Sequence, residues 1–253
     1  NNQNKALDLA NDALYADNDA VAIYLAECPA RNNDDYAVEM WFRAEKEQDD
    51  EVVYLFDTDA FGAALEEGKM VLYATQDDKT IMSMGNKQYN DANWHHFAMN
   101  VLRSGNAIVY IDGEAVGQVA STNVPALQTS YMYLGANRVA SNDTITPYNL
   151  INKLNGQIDE VRVWNATLNA KVLRERMYSR LYGTEPGLAA YYPFEEEKLD
   201  ANMQIVTEGS ALDMVTKRHK ATGFKNSLHA IACNDEAPAL KPVNKESNVN
   251  YSF

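Results

Sequence analysis

Tyr36-Ala-Val-Glu-Met-Trp-Phe-Arg43 alternates with a period of two. Val38, Met40 and Phe42 fall on one face of an extended chain, Ala37 and Trp41 on the other. Both faces are partly covered, which is the pattern of a strand inside a sandwich of two sheets. Outward from this stretch the same short unit recurs. Lys5-Ala-Leu-Asp-Leu9 opens the series. Val52-Val-Tyr-Leu-Phe56 and Lys69-Met-Val-Leu-Tyr73 follow, with a segment between them that reads as a loop on Gly62 and Gly68. The clearest hairpin is Ala107-Ile-Val-Tyr-Ile111, Asp112-Gly113, then Glu114-Ala-Val116, because Asp-Gly tolerates the positive φ of a tight turn. Tyr131-Met-Tyr-Leu-Gly135 and Gln157-Ile-Asp-Glu-Val-Arg-Val-Trp164 complete the readable strands. This density of short strands predicts an all-β sandwich or barrel.

One helix is predicted after the last of these strands. Asn169 is a capping residue, and Leu168 with Leu173 forms a hydrophobic staple across it. Val172, Arg176, Met177 and Leu181 keep helical spacing, and Gly183 is placed to end the helix. A single helix after so many strands covers a sandwich and does not build an α/β layer.

The chain has 253 residues, 46% hydrophobic and 23% charged, enough for one large sandwich. No apolar run approaches the roughly 18 residues of a membrane helix, so no membrane insertion is expected. A net charge of −14 repels nucleic acid and anionic lipid and sets both aside as partners. That acidity is compatible with calcium, but its plain reading is solubility. Cys28 and Cys233 make no metal motif; they form either one long-range disulfide or two buried thiols. After Phe194 the pattern changes. Glu195-Glu-Glu-Lys198 is a charge run, periodicity is weak to about residue 232, and residues 234–250 are rich in Asn, Pro and Lys. The expected division is a sandwich over 1–195 and an extension and linker over 196–253, leading to a flanking domain of the same chain.

Four blocks carry a resemblance. They are Tyr36–Arg43; Asn93-Trp-His-His-Phe-Ala98; Val109-Tyr-Ile-Asp-Gly113; and Gly156–Asn165 followed by the capped helix, with Gly187-Leu-Ala-Ala-Tyr-Tyr-Pro-Phe194 closing the series. In this order they resemble the laminin-G-like group of concanavalin A-like lectin/glucanase jelly rolls, to which the pentraxins also belong. The resemblance implies two antiparallel sheets packed face to face, with Trp94 and Trp164 largely buried.

Three kinds of residue bear on function. His95 and His96 are adjacent on a strand, so they point to opposite faces and cannot serve one site. Glycoside hydrolysis needs two carboxylates about 5–10 Å apart. The Glu47-Gln-Asp-Asp-Glu51 run has the spacing of the glycosidases on this fold but lacks their apolar interleaving. It reads as solvated, as do Asp57-Thr-Asp59 and Glu195–Glu197. Many relatives hold a structural Ca²⁺ through an early segment and the Asp of the late block. Carried over, these are Asp8, Asn11 and Asp159, although the early segment lacks the family's Gly; the alternative for Asp159 is a hydrogen-bonding role at a strand start. Phe61, Tyr89 and Tyr148 fall in predicted loops and are the aromatic candidates for glycan contact. Asn142-Asp-Thr144 and Asn165-Ala-Thr167 are glycosylation sequons that matter only in a host that uses them.

The expected function is a non-catalytic binding or adhesion module of a secreted or cell-surface protein, with a glycan or an extracellular protein as ligand. A glycoside hydrolase domain and a purely architectural spacer are the alternatives on the same fold.

Overall fold

The computed structural model describes residues 5–9, 21–24, 33–58, 60–75, 77, 79–127, 131–140, 148–194, 198–199, 205–206, 213–216, 221–223 and 233–234. Its strands are β1 (Ala6–Asp8), β2 (Val21–Tyr24), β3 (Tyr36–Ala44), β4 (Val52–Asp57), β5 (Phe61–Glu66), β6 (Lys69–Ala74), β7 (Thr80–Gln88), β8 (Trp94–Val101), β9 (Asn106–Ile111) and β10 (Glu114–Ala120). There follow β11 (Tyr131–Leu134), β12 (Asn137–Ala140), β13 (Tyr148–Ile151), β14 (Gly156–Trp164), the helix α1 (Ala170–Arg176) and β15 (Leu188–Tyr192). The late strands are β16 (Lys198–Leu199), β17 (Ile205–Val206), β18 (Thr222–Gly223) and β19 (Cys233–Asn234).

Eight strands make one sheet in the order β10-β9-β8-β3-β14-β1-β19, with β15 beside β1 on the same edge of β14. Seven make the other, β18-β2-β11-β4-β5-β6-β7. Neighbours in both sheets are antiparallel. Val38, Met40 and Phe42 of β3 face the core with Phe97 and Met99 of β8, as the alternation predicts. Across the gap stand Leu55, Phe56, Phe61, Leu65 and Leu72 of the second sheet. Phe56 meets Phe61 and Phe97 edge-on at 6.1 and 5.6 Å, and truncating any of these rings to Ala costs about 3–5 kcal/mol.

The outer face of the first sheet carries a second apolar cluster. Ala37, Ala98, Trp164 and Tyr191 meet Leu168 and Leu173, the staple residues of α1. Asn169 caps α1, its Oδ1 accepting from Lys171 N–H at 2.8 Å. The helix ends at Arg176, well before Gly183. That glycine serves another contact: its φ is +88°, and a Cβ there would lie 2.5 Å from the Met214 carbonyl oxygen. Trp164 is fully buried, whereas Trp94, opposite Arg43 at the start of β8, is half-buried and not largely buried as expected.

The segment expected to be a loop on Gly62 is strand β5. Its Phe-Gly-Ala-Ala-Leu sequence has low strand propensity, and the small residues are there for space. A Cβ on Gly62 would sit 2.7 Å from the Tyr54 ring and 2.9 Å from the Phe56 carbonyl oxygen. Late residues also join the sandwich. Asp213, buried, accepts from Tyr191 N–H and Val215 N–H at 3.0 Å each and from the Thr216 hydroxyl at 2.8 Å. β18 pairs with β2, and β19 with β1. Cys28 lies outside the described residues, so its pairing with Cys233 does too.

Candidate functional site

The structure scatters the residues singled out from sequence. Phe61 opens β5 and is 1% exposed in the core, not in a loop. Tyr89 is 2% exposed, edge-on to Phe42 and His95 at 6.3 and 5.1 Å. Neither ring faces solvent, because the chain around each is tied into the sheets and turns the side chain inward. Tyr148 begins β13 and is not a loop residue either. Among the described residues the exposed aromatics lie elsewhere: Tyr131 of β11, opposite the half-buried Tyr24 of β2 with ring centroids 5.4 Å apart, and Tyr178 and Tyr182 after α1. Asp57, expected in solvent, is buried at the end of β4 and accepts from the Thr75 hydroxyl at 2.9 Å.

Asp8 and Asp159 lie on adjacent strands. Asp8 Oδ1 accepts from Gln157 Nε2 at 3.1 Å, and Asp159 Oδ1 from Glu160 N–H at 2.8 Å. Calcium takes six to eight oxygens. Among the described residues no three His, Cys, Asp or Glu side chains gather as a metal-holding group. Asn11 lies outside the described residues. The two described carboxylates alone do not make a calcium site.

His95 and His96 do point to opposite faces. His96 joins a buried polar network beneath α1. Glu39 is its hub, accepting from His96 Nε2 at 3.1 Å, Trp164 Nε1 at 2.7 Å and Arg162 Nη1 at 3.4 Å. Arg162 Nη2 also donates to Glu160 Oε2 at 2.7 Å, which accepts from the Tyr191 hydroxyl at 2.7 Å. A bulge between Asp159 and Arg162, with Glu160 at φ +53°, turns that carboxylate towards Arg162. Burial pushes Glu160 above the usual carboxylate range despite Arg162. Burial acts the same way on Glu39, but Arg162, His96 and Trp164 outweigh it and hold Glu39 below that range. Perturbed acids can mark catalysis. These are sealed from solvent, with Glu39 0% and Glu160 1% exposed, so no substrate reaches them.

An open site lies at one end of the sandwich, a groove of about 440 Å³. Val53 of β4 and Leu65 of β5, core residues 2% and 1% exposed, back it from below. The β3–β4 loop supplies Lys46, Glu47, Gln48, Asp50 and Glu51; the β5–β6 turn supplies Glu67 and Gly68; Asn90 closes the side. The walls are prebuilt by hydrogen bonds. Gln48 Nε2 donates to the Glu45 and Asn155 carbonyls at 2.8 Å each, and its Oε1 accepts from Asn155 N–H at 2.8 Å. Glu67 N–H donates to the Glu51 carbonyl at 2.8 Å, and Asn90 Nδ2 to that of Lys46 at 3.2 Å. Glu67 and Gly68 turn at φ +48° and +81°, and a Cβ on Gly68 would lie 2.0 Å from Asn90 Oδ1. Sequence reading found the acids of this rim and their exposure but not their convergence with Asn90 and Glu67. The turn dipeptide Glu67-Gly68 was the available signal.

Two antiparallel sheets around one core, with a helix on an outer face, define a concanavalin A-like β-sandwich. The chain belongs to the concanavalin A-like lectin/glucanases superfamily, matching its laminin-G-type family over residues 17–173. Among solved structures it is similar to a candidate carbohydrate-binding protein from Bacteroides ovatus, at 14% identity and a TM-score of 0.60 over 92% of this chain. That match covers 60% of the other protein, so this chain spans about three fifths of its length. It is also similar to the binding domain of Paraclostridial Mosquitocidal Protein 1, 14% identical over 57% of this chain and 37% of that one, TM-score 0.44. The binding domain of botulinum neurotoxin DC, in complex with SialylT, is 12% identical over 62% and 38% of the two chains, TM-score 0.45. At these identities the likeness is one of fold. No curated protein matches the chain in sequence.

Proposed function

We propose that this chain is a non-catalytic binding module of an extracellular or cell-surface protein, and that the end groove takes a glycan, free or carried on a protein. The observation that carries this reading is the groove's make-up. A concave rim of carboxylates and amides suits the hydroxyls of a sugar. The rim is held in place before any ligand arrives, which lowers the cost of ordering it. Its four carboxylates stand against Lys46, so the groove repels anionic sugars and favours neutral or amine-bearing ones. The same carboxylates lie exposed on loops, where nothing apolar shelters a general acid. A structural calcium belongs to this proposal as an ion bridging Asp8 and Asp159, with its other oxygens drawn from outside the described residues.

The test is a glycan array, followed by calorimetry with the strongest neutral or amino oligosaccharide. Asp50→Ala with Glu51→Ala should weaken binding about tenfold to a hundredfold, the worth of hydrogen bonds to charged groups. An array without signal for neutral and amino sugars, or affinity indifferent to the double substitution, would overturn the reading. Release of reducing sugar by the purified chain would overturn its non-catalytic half.

A further inference from the structure

We propose that His95 is a pH-sensitive latch on the groove, clamping the 89–93 loop to the β9–β10 turn while its imidazole is protonated and releasing the loop as the ring becomes neutral. The inference rests on the groove being the ligand site, because the loop it clamps carries Asn90.

The geometry is that of a ring between two acids. His95 is buried, with Nδ1 2.8 Å from Asp112 Oδ2 and Nε2 3.1 and 3.2 Å from the two oxygens of Asp91. Only the imidazolium has a proton for each carboxylate. A neutral ring donates to one and turns a lone pair on the other. The bond that survives is the shorter one, to Asp112, whose carboxylate also accepts from His96 N–H at 2.8 Å on the strand that carries His95; the second donor to Asp91, Asn93 N–H at 3.0 Å, lies in the loop itself and moves with it. Asp91 and Asp112 are both open to water on their outer sides, so water can take over the bond that Asp91 loses. Losing it frees the residue next to Asn90, whose amide reaches Lys46 across the groove wall.

Charged groups reach the surroundings of the ring from several elements, and the two carboxylates in direct contact decide the balance. From β7 and the following loop come Lys87, 5.2 Å over the Tyr89 ring, and Tyr89 itself, edge-on to His95. From β3, Arg43 Nε donates to the Ala92 carbonyl at 2.8 Å, and Phe42 packs on the ring. From α1, Arg174 Nη1 donates to the Gly113 carbonyl at 3.1 Å. Burial works against the charged imidazole, but Asp112 and Asp91 outweigh it and raise His95 above its ordinary value. The folded-state rise sets the sign. The clamp is complete below the unfolded histidine value of about 6.5 and is lost as pH climbs through the raised one. Asp91 and Asp112 are held below the carboxylate range, against the pull of burial, so the clamp also persists well to the acid side.

The test reads the loop without any ligand. The His95 ring is titrated by NMR, and hydrogen exchange at 89–93, corrected for intrinsic rate, is followed from pH 5 to 10 beside the Asn90 side-chain amide resonances. Loop protection should fall about tenfold or more as His95 deprotonates, the Asn90 resonances should shift with the same midpoint, and β3 should not change. Asp91→Asn should lower the midpoint and leave the loop open already at pH 6. His95→Gln should remove the pH dependence while melting cooperatively. Loop protection that stays flat through the His95 titration, or Asn90 resonances that do not follow it, would overturn the latch. A failed glycan array with this response intact would refute the glycan reading and leave the latch standing.

Discussion

Glu39→Ala removes one side chain and strands three donors. His96 Nε2, Trp164 Nε1 and Arg162 Nη1 all converge on that carboxylate, in a space where Glu39 and His96 are 0% and 1% exposed. Breaking a buried ion pair by deleting one partner costs about 3–5 kcal/mol, because the remaining charge keeps its desolvation cost. At roughly 2–4 °C per kcal/mol for a chain of this size, the melting temperature should fall by about 6–20 °C. Urea unfolding at pH 7 measures the free energy, with Glu47→Ala on the exposed rim as a control expected within about 0.5 kcal/mol of the parent. The pH dependence supplies a second check. Glu39 is held below the usual carboxylate range, so its contribution is present above the unfolded value of about 4.3 and is lost as pH falls through the lowered one. The gap between parent and variant should therefore narrow at acid pH. A Glu39→Ala protein within 1 kcal/mol of the parent at pH 7 would refute the assignment of Glu39 as hub of the network.

Gly68→Ala should destabilise by about 1–2 kcal/mol and weaken oligosaccharide binding, since the added methyl meets Asn90 at a positive φ; calorimetry and thermal melting check both. Asn169→Ala should cost about 1 kcal/mol through the lost cap of α1, read by urea unfolding, and leave ligand affinity unchanged. Calcium at a hundredfold excess over its Kd should stabilise metal-stripped protein by about 2.7 kcal/mol, a rise of about 5–10 °C that Asp159→Ala abolishes. A melting temperature indifferent to millimolar calcium and EDTA would leave Asp159 with a bracing role in its strand.

The strands that alternate cleanly were legible in the sequence. β3 and β9 could be read because their inward residues recur every second position, and β14 because its apolar residues continue on either side of the bulge. β5 could not, because Gly62, Ala63 and Ala64 are small where Tyr54 and the neighbouring strand crowd them, and strand propensity does not register a neighbour's bulk. Phe61 and Tyr89 were misplaced for a related reason: local turn signals around them suggested exposure, whereas packing into the core, against Phe56 for Phe61 and against Phe42 for Tyr89, decides it. The opposite faces of His95 and His96 followed from the period of two. Of their partners, Asp91 is a near neighbour of His95, whereas Asp112 and Glu39 come from a turn and a strand further away in the chain. The groove was half legible, its acids visible as an exposed run and its floor and far wall supplied by elements that only the fold brings there.

The pairing of β18 with β2 and of β19 with β1 has a consequence for biosynthesis. Leu7 waits for Ile158 on one side and Cys233 on the other, and Val21 for Leu134 and Gly223. Both early strands therefore leave the ribosome with unpaired edges and keep them until almost the whole described chain has been made. Such distant pairing slows folding, and open edges recruit other strands in the interval. A nascent-chain length series should show protease resistance of the early strands appearing late and abruptly.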